Sequence, residues 1–350
     1  MSFIQNWLRA DILNLNPYRV DDSNGLIKLD AMENPLPMPE EVQRRLLDIY
    51  ANTPINRYPD AQANALKTQI KQTMGIDNSL QIMLGNGSDE LIQILALACA
   101  EGDRILGFSP SFVMYQLIAI FNRLDYMSIA LDKNFDINLS LTLKTIDEIK
   151  PKLIFIDRPN NPSGNAFSRW RIEQIIQHTD ALVVLDEAYY AYAEDSFLPD
   201  IKHYDNLVVL RTLSKLGFAG LRLGVLIGSQ ATVCELDKLR MPYNISTLTQ
   251  VSAQFLLSQH YFLHNAQSIV NERQYLFTAL SAIDELTVFP SQANFILFKV
   301  DDANALFAFI KQNGVLIKNL NAVLNGCLRT TVGTRHDNNV LINIIKRYYD

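Results

Sequence analysis

The chain has 350 residues, 48% of them apolar, which exceeds what one hydrophobic core normally absorbs, so a major and a minor domain are expected. A formal net charge of -6 and the absence of any basic run exclude an electrostatic footprint for nucleic acid. Cys99, Cys234 and Cys327 are too scattered for a zinc site or a disulfide framework, so a small-molecule partner and a reducing cytoplasm are expected.

Residues 1–15 carry Arg9 and Asp11 in an amphipathic pattern and lack the apolar core of a signal peptide, so they read as a structured arm. The first 45 residues, with Pro35, Pro37 and Pro39, are expected to wrap back onto the C-terminal part. Short apolar runs then recur at 81–84, 104–107, 124–129, 153–156, 182–185, 207–210 and 225–227, and read as buried strands. Helical periods between them, such as 89–99 and 169–178, imply crossovers and a mainly parallel sheet covered on both faces. The most apolar stretch, 91–100, is about half the length needed to cross a bilayer, so no membrane segment is expected. From 247 to 283 a long helical pattern replaces the strand rhythm; beyond it, 294–300, 303–312, 315–318 and 327–332 read as a small α+β unit. The expectation is an α/β fold with a large domain over 46–247 and a discontinuous small domain from 1–45 and 248–350.

Four polar motifs fall at the carboxyl ends of these runs, where open α/β sheets bind ligands. Gly85-Asn86-Gly87-Ser88-Asp89-Glu90 opens a helix whose backbone N–H groups can cradle a phosphate; alone, such a turn is more often only a turn. Arg158-Pro159-Asn160-Asn161-Pro162-Ser163-Gly164 has the composition of tight turns. Asp186 ends an uncharged run, where a carboxylate can pair with the protonated pyridine nitrogen of an electron-sink cofactor, with Tyr189 three residues on; a lone Asp there is more often a helix cap. In Thr212-Leu213-Ser214-Lys215 a partly desolvated lysine would have a lowered pKa and attack carbonyl groups, and two hydroxyls with Arg222 suit a phosphate. A single lysine after a strand is usually a surface charge; the cluster argues otherwise.

Together these motifs resemble, in order and spacing, the set of fold type I aminotransferases. Asp30-Ala31-Met32-Glu33-Asn34-Pro35, Asn56-Arg57-Tyr58-Pro59 and the segment from Leu328 to Arg335 are most similar to the histidinol-phosphate aminotransferase family, over nearly the whole chain. The resemblance implies a pyridoxal 5′-phosphate enzyme that moves an amino group between glutamate and imidazole-acetol phosphate, giving L-histidinol phosphate in histidine biosynthesis. It implies that Lys215 carries the cofactor as a Schiff base, Asp186 holds the pyridine nitrogen, and Asn161 and Tyr189 contact the phenolic oxygen. Gly87, Ser88, Thr212, Ser214 and Arg222 would hold the phosphate, Phe112 would stack on the ring, and Tyr58 would reach the cofactor of a neighbouring subunit in a homodimer. Arg329 would bind the donor carboxylate, with Tyr18, Asn34, Asn294 and Lys318 as further substrate contacts. Two departures stand out. Phe112 keeps the aromatic stacking and lacks the hydroxyl of the usual tyrosine, and Lys318 offers a point charge where many members have an arginine fork. The alternatives are an aromatic amino acid aminotransferase, a phosphothreonine decarboxylase on the same scaffold, or a cofactor-binding regulatory module, which the absence of a DNA-binding extension disfavours. The five histidines form no metal pattern.

Overall fold

The computed structural model describes residues 3–17 and 21–350. After a short strand β1 (Ile27–Lys28), seven strands build one sheet: β2 (Gln81–Asn86), β3 (Arg104–Ser109), β4 (Asp125–Ala130), β5 (Leu153–Asp157), β6 (Leu182–Asp186), β7 (Leu207–Thr212) and β8 (Leu223–Gly228). Their order is β2-β8-β7-β6-β5-β3-β4. Every residue of β5, β7 and β8 is buried, because helices cover both faces, and this is why the strands read as continuous apolar runs. Alternate residues still separate: Ile154, Ile156, Val183, Leu185 and Val209 face one core, whereas Leu153, Phe155, Val184, Val208 and Leu210 face the other.

The sheet is parallel except for β8, which runs antiparallel to both β2 and β7. The segment 213–222 between β7 and β8 holds only two 3-10 turns, too little chain for a parallel crossover, so β8 must double back. That return forms the pocket wall described below.

A second, four-stranded sheet combines β9 (Thr287–Val288), β10 (Phe295–Lys299), β12 (Lys318–Asn319) and β13 (Cys327–Thr331), and β11 (Val315–Leu316) pairs instead with β1. The apolar run at 315–318 therefore divides between two sheets, and β1 brings the N-terminal segment back onto the C-terminal unit. The helix Ala303–Gln312 covers this sheet with Arg335–Tyr349, which a Thr334–Asp337 capping box starts. The helical stretch expected over 247–283 is two helices, Thr247–Ser258 and Tyr261–Ser281, separated at Gln259 and at His260 with its left-handed φ of 56°. Helix Glu40–Ala51 runs through residue 45 with Val42 on the large core, and the cores change over inside Tyr261–Ser281, where Phe262 belongs to the first and Ala266 to the second. The N-terminal arm contains short helices Phe3–Trp7 and Ala10–Leu13.

Candidate active site

The carboxyl ends of β5, β6 and β7 line a cavity of about 250 Å³, together with Ser88, Phe112, Tyr115, Asn161, Tyr189, Ser214, Lys215 and Arg222. Parallel pairing in register sets Asp157 beside Asp186, so two carboxyls share one edge of the sheet. Both are buried. Burial pushes the Asp186 carboxyl up to about 6, although the Tyr115 hydroxyl donates to it at 2.9 Å and the Ala188 N–H at 3.0 Å. Burial likewise pushes Asp157 up to about 7, against donors from Ser111 Oγ at 2.7 Å and the Asn161 N–H at 2.8 Å. Among the described residues neither acid has a lysine or arginine partner of its own.

The residue immediately after β6 is served differently. Glu187 accepts from Arg211 Nε at 3.1 Å and Nη2 at 2.9 Å, from Ser196 Oγ at 2.7 Å, and from the Phe197 N–H at 2.6 Å. The Glu187 N–H still donates to the Leu210 carbonyl at 2.8 Å, so the alternation of the strand carries one residue past β6, with Asp186 lining the cavity and Glu187 against a cation that the chain supplies.

Lys215 lies in the 3-10 turn Ser214–Leu216, and its Nζ is 5.8 Å from the Tyr189 ring centroid and donates to the Ala31 carbonyl at 3.4 Å. Burial, and then the guanidinium of Arg329, lowers its pKa to about 8. An appreciable neutral fraction near neutral pH makes Nζ a competent nucleophile.

Ser88 also lines the cavity, and the helix Ser88–Leu97 that it opens starts with no side-chain cap, leaving its first N–H groups for a ligand. The Thr212 hydroxyl donates to Ser214 Oγ at 2.9 Å; Arg222 reaches Ser214 Oγ at 3.4 Å and Asp89 at 3.3 Å. The Arg222–Asp89 pair is half-exposed and worth little, so an arriving anion can take over the guanidinium. Two glycines make this corner possible: Gly87 has φ +80°, and a Cβ on Gly224 would lie 2.6 Å from the Gly87 carbonyl and the Ser88 nitrogen. Uncapped helix, hydroxyls and guanidinium suit a phosphate; the lysine and the cation-less Asp186 suit a carbonyl-bearing heterocycle with a protonated nitrogen. The residues present thus fit pyridoxal phosphate.

Along the remaining edge, Asn161 Nδ2 donates to the Tyr189 hydroxyl at 3.3 Å, and Arg329 Nη1 donates to Asn161 Oδ1. Arg329 is buried and also donates to the Asp30 carbonyl at 3.1 Å. Phe112 meets Tyr115 edge-on, and Tyr115 stacks on Phe155.

The residues expected from sequence thus divide by place. Ser88, Phe112, Asn161, Asp186, Tyr189, Thr212, Ser214, Lys215 and Arg222 line the cavity, and Gly87 borders it beneath Arg222. Arg329 joins through Asn161, and Lys318 sits opposite Arg329 on the neighbouring strand. Asn294, fully buried, donates to the carbonyl of Met32, a lining residue, and Asn34 lies against Gly217 beside the lysine turn. Tyr58 is 81% exposed, stacked on Tyr243 and outside this cavity. Tyr18 lies outside the described residues. Sequence reasoning missed Asp157, Ser111 and Tyr115. Asp157 carried the same signal as Asp186, an acid ending an apolar run, whereas Tyr115 has no signal within an apolar helix.

The model of the family "Aminotransferase class I and II" matches residues 24–345. The histidinol-phosphate aminotransferase of Vesicomyosocius okutanii subsp. Calyptogena okutanii is 52% identical, covering 100% of this chain and 99% of the relative. Histidinol-phosphate aminotransferase 2 of Nitrosococcus oceani is 45% identical, covering 98% and 97%. Among solved structures, the histidinol-phosphate aminotransferase from Sinorhizobium meliloti in complex with pyridoxal-5′-phosphate superposes with a TM-score of 0.85 at 20% identity, covering 98% of each chain. The L-threonine-O-3-phosphate decarboxylase from Porphyromonas gingivalis reaches 0.79 at 20% identity, covering 93% of this chain and 99% of that one, so the shared fold alone does not select a reaction.

Proposed function

This chain belongs to the class I and II aminotransferases, and from that premise we propose that it transfers an amino group between glutamate and imidazole-acetol phosphate, giving L-histidinol phosphate. Full-length identity of 52% to a histidinol-phosphate aminotransferase supports that substrate pair. The observation that carries the chemistry is the single cavity shared by Lys215 and the cation-less Asp186. When bound there, pyridoxal 5′-phosphate supplies an electron-withdrawing ring that delocalises the electron pair left by a departing substrate proton.

The chain's own residues do the rest. Lys215 Nζ would hold the cofactor through its carbonyl carbon and, once an incoming amine had displaced it, would be placed to move a proton between the substrate α-carbon and the cofactor carbon as base and then acid. Asp186, ionised, holds a proton on the ring nitrogen. The Tyr189 hydroxyl and Asn161 Nδ2 donate to the ring oxygen, and Phe112 closes one face. Ser88 and Gly87 backbone, Ser214, Thr212 and Arg222 hold the phosphate. Arg329 receives the donor carboxylate as a planar fork, and Asn34, Asn294 and Lys318 border the acceptor. Glutamate and the acceptor alternate on one site, which gives ping-pong kinetics.

The same reading makes the active unit a cytoplasmic homodimer in which Tyr58 serves the neighbouring site. Its support is the exposed Tyr58, with Ile55 and Met241 also exposed. Mixing Tyr58→Ala with Lys215→Ala chains should then regain activity, since a mixed dimer has one site with neither lesion; no regain after demonstrated subunit exchange contradicts the arrangement. No described helix is long and apolar enough to cross a membrane.

The substrate assignment is tested by kcat/KM across a panel of acceptors with glutamate. Imidazole-acetol phosphate is expected to lead by a factor of ten or more, roughly one charge-assisted contact. Preference for aromatic 2-oxo acids, or carbon dioxide release from O-phosphothreonine, would replace it.

A further inference from the structure

Asp157 lines the cavity yet has no part in the chemistry above. Its two oxygens hold two different loops. Oδ1 accepts from Ser111, the neighbour of Phe112, and Oδ2 accepts from the backbone N–H of Asn161. Asn161 in turn carries three edges of the site at once: its N–H on Asp157, its Nδ2 on Tyr189, and its Oδ1 under Arg329. Asp157 itself is pinned at the end of β5, whose five residues are all buried and whose register against β6 is continuous. A side chain so anchored transmits the position of the sheet to the loop that carries Asn161.

Resting on the reading of this cavity as a pyridoxal-phosphate site, we propose that Asp157 is a positioning residue that aims the Asn161 amide at the ring oxygen, with Ser111 fixing the carboxylate. The rival role, a second negative charge acting directly on the cofactor, predicts the opposite sign in one observable. The observable is the pH midpoint of the bound cofactor's visible absorbance, which reports the proton held at Lys215 Nζ. A donor on the ring oxygen favours the deprotonated state, so misaiming Asn161 raises the midpoint; removing a nearby negative charge lowers it.

The test titrates recombinant protein with pyridoxal 5′-phosphate and records that midpoint for Asp157→Asn, chosen because it is isosteric, and for Asp157→Ala. The expected result is an upward shift of about one pH unit, the scale of one hydrogen bond, with cofactor affinity within about threefold because the phosphate contacts are untouched. Ser111→Ala should shift the midpoint the same way by less. In an Asn161→Ala background the Asp157→Asn shift should vanish, since its intermediary is gone. A downward shift, no shift, or an undiminished shift in the Asn161→Ala background overturns the positioning role, and Asp157→Asn keeps the test open if the alanine variant does not fold. Wild-type protein that takes up no pyridoxal 5′-phosphate at Lys215 would instead refute the site reading, a separate outcome seen before any variant is made.

Discussion

At the end of β6 two adjacent acids have opposite fates. Glu187 is buried and complete: Arg211, Ser196 and the Phe197 N–H satisfy its carboxylate from within the chain, and the Arg211 guanidinium also lies 4.0 Å from the Tyr190 ring centroid. Asp186 is equally buried and incomplete, with two neutral donors and no cation among the described residues. A buried ion pair completed by the chain serves the fold, whereas a buried acid without one is costly until a ligand brings the charge. The contrast separates architecture from chemistry across the thickness of one strand.

The sharpest way to break that contrast is to neutralise the incomplete acid. Asp186→Asn should lower kcat by about 10²- to 10³-fold, the usual range for losing one preorganised electrostatic contact, while the protein still folds and takes up cofactor; near-wild-type turnover would return Asp186 to a capping role. Glu187→Ala should do the reverse, costing about 3 to 5 kcal/mol of stability in urea unfolding because Arg211 is left buried and unpaired. A loss below about 1 kcal/mol would show that the pair is not the complete unit described.

A third contrast is read in pH. The folded-state values of Asp186, about 6, and Asp157, about 7, lie above the ordinary 3.8, so the cofactor-free folded chain binds more protons than the unfolded one between these limits. Stability from these groups is therefore fully present below about pH 4 and falls as pH rises through 6 and 7, by on the order of a few kcal/mol. Asp186→Asn should flatten this fall, and a slope unchanged by the substitution would contradict it. The smallest effect is expected at Arg222, which is half-exposed and shares the phosphate with several donors: Arg222→Lys should weaken cofactor binding by about 1 kcal/mol, roughly fivefold.

Much of this was legible in sequence because strands buried on both faces leave unbroken apolar runs, and because Asp186 and Lys215 end such runs with polar residues. The direction of β8 could be inferred only from the length of the connection, and the break at His260 carries no Gly or Pro to announce it. The Glu187–Arg211 pair and the Asp157–Ser111 contact join residues far apart in sequence, so they become visible only once strand register is known. Tyr115 reads as one more apolar position of its helix, and its hydroxyl acquires a purpose only from the acid opposite.

The central claim is that Lys215 carries the cofactor in the cavity edged by Asp186. Borohydride reduction of the protein saturated with pyridoxal 5′-phosphate converts a carbon–nitrogen double bond into a stable single bond, and peptide mapping then reports which lysine holds the label. The account predicts one label per chain, on Lys215, lost in Lys215→Ala; a label on any other lysine, or none, would contradict it.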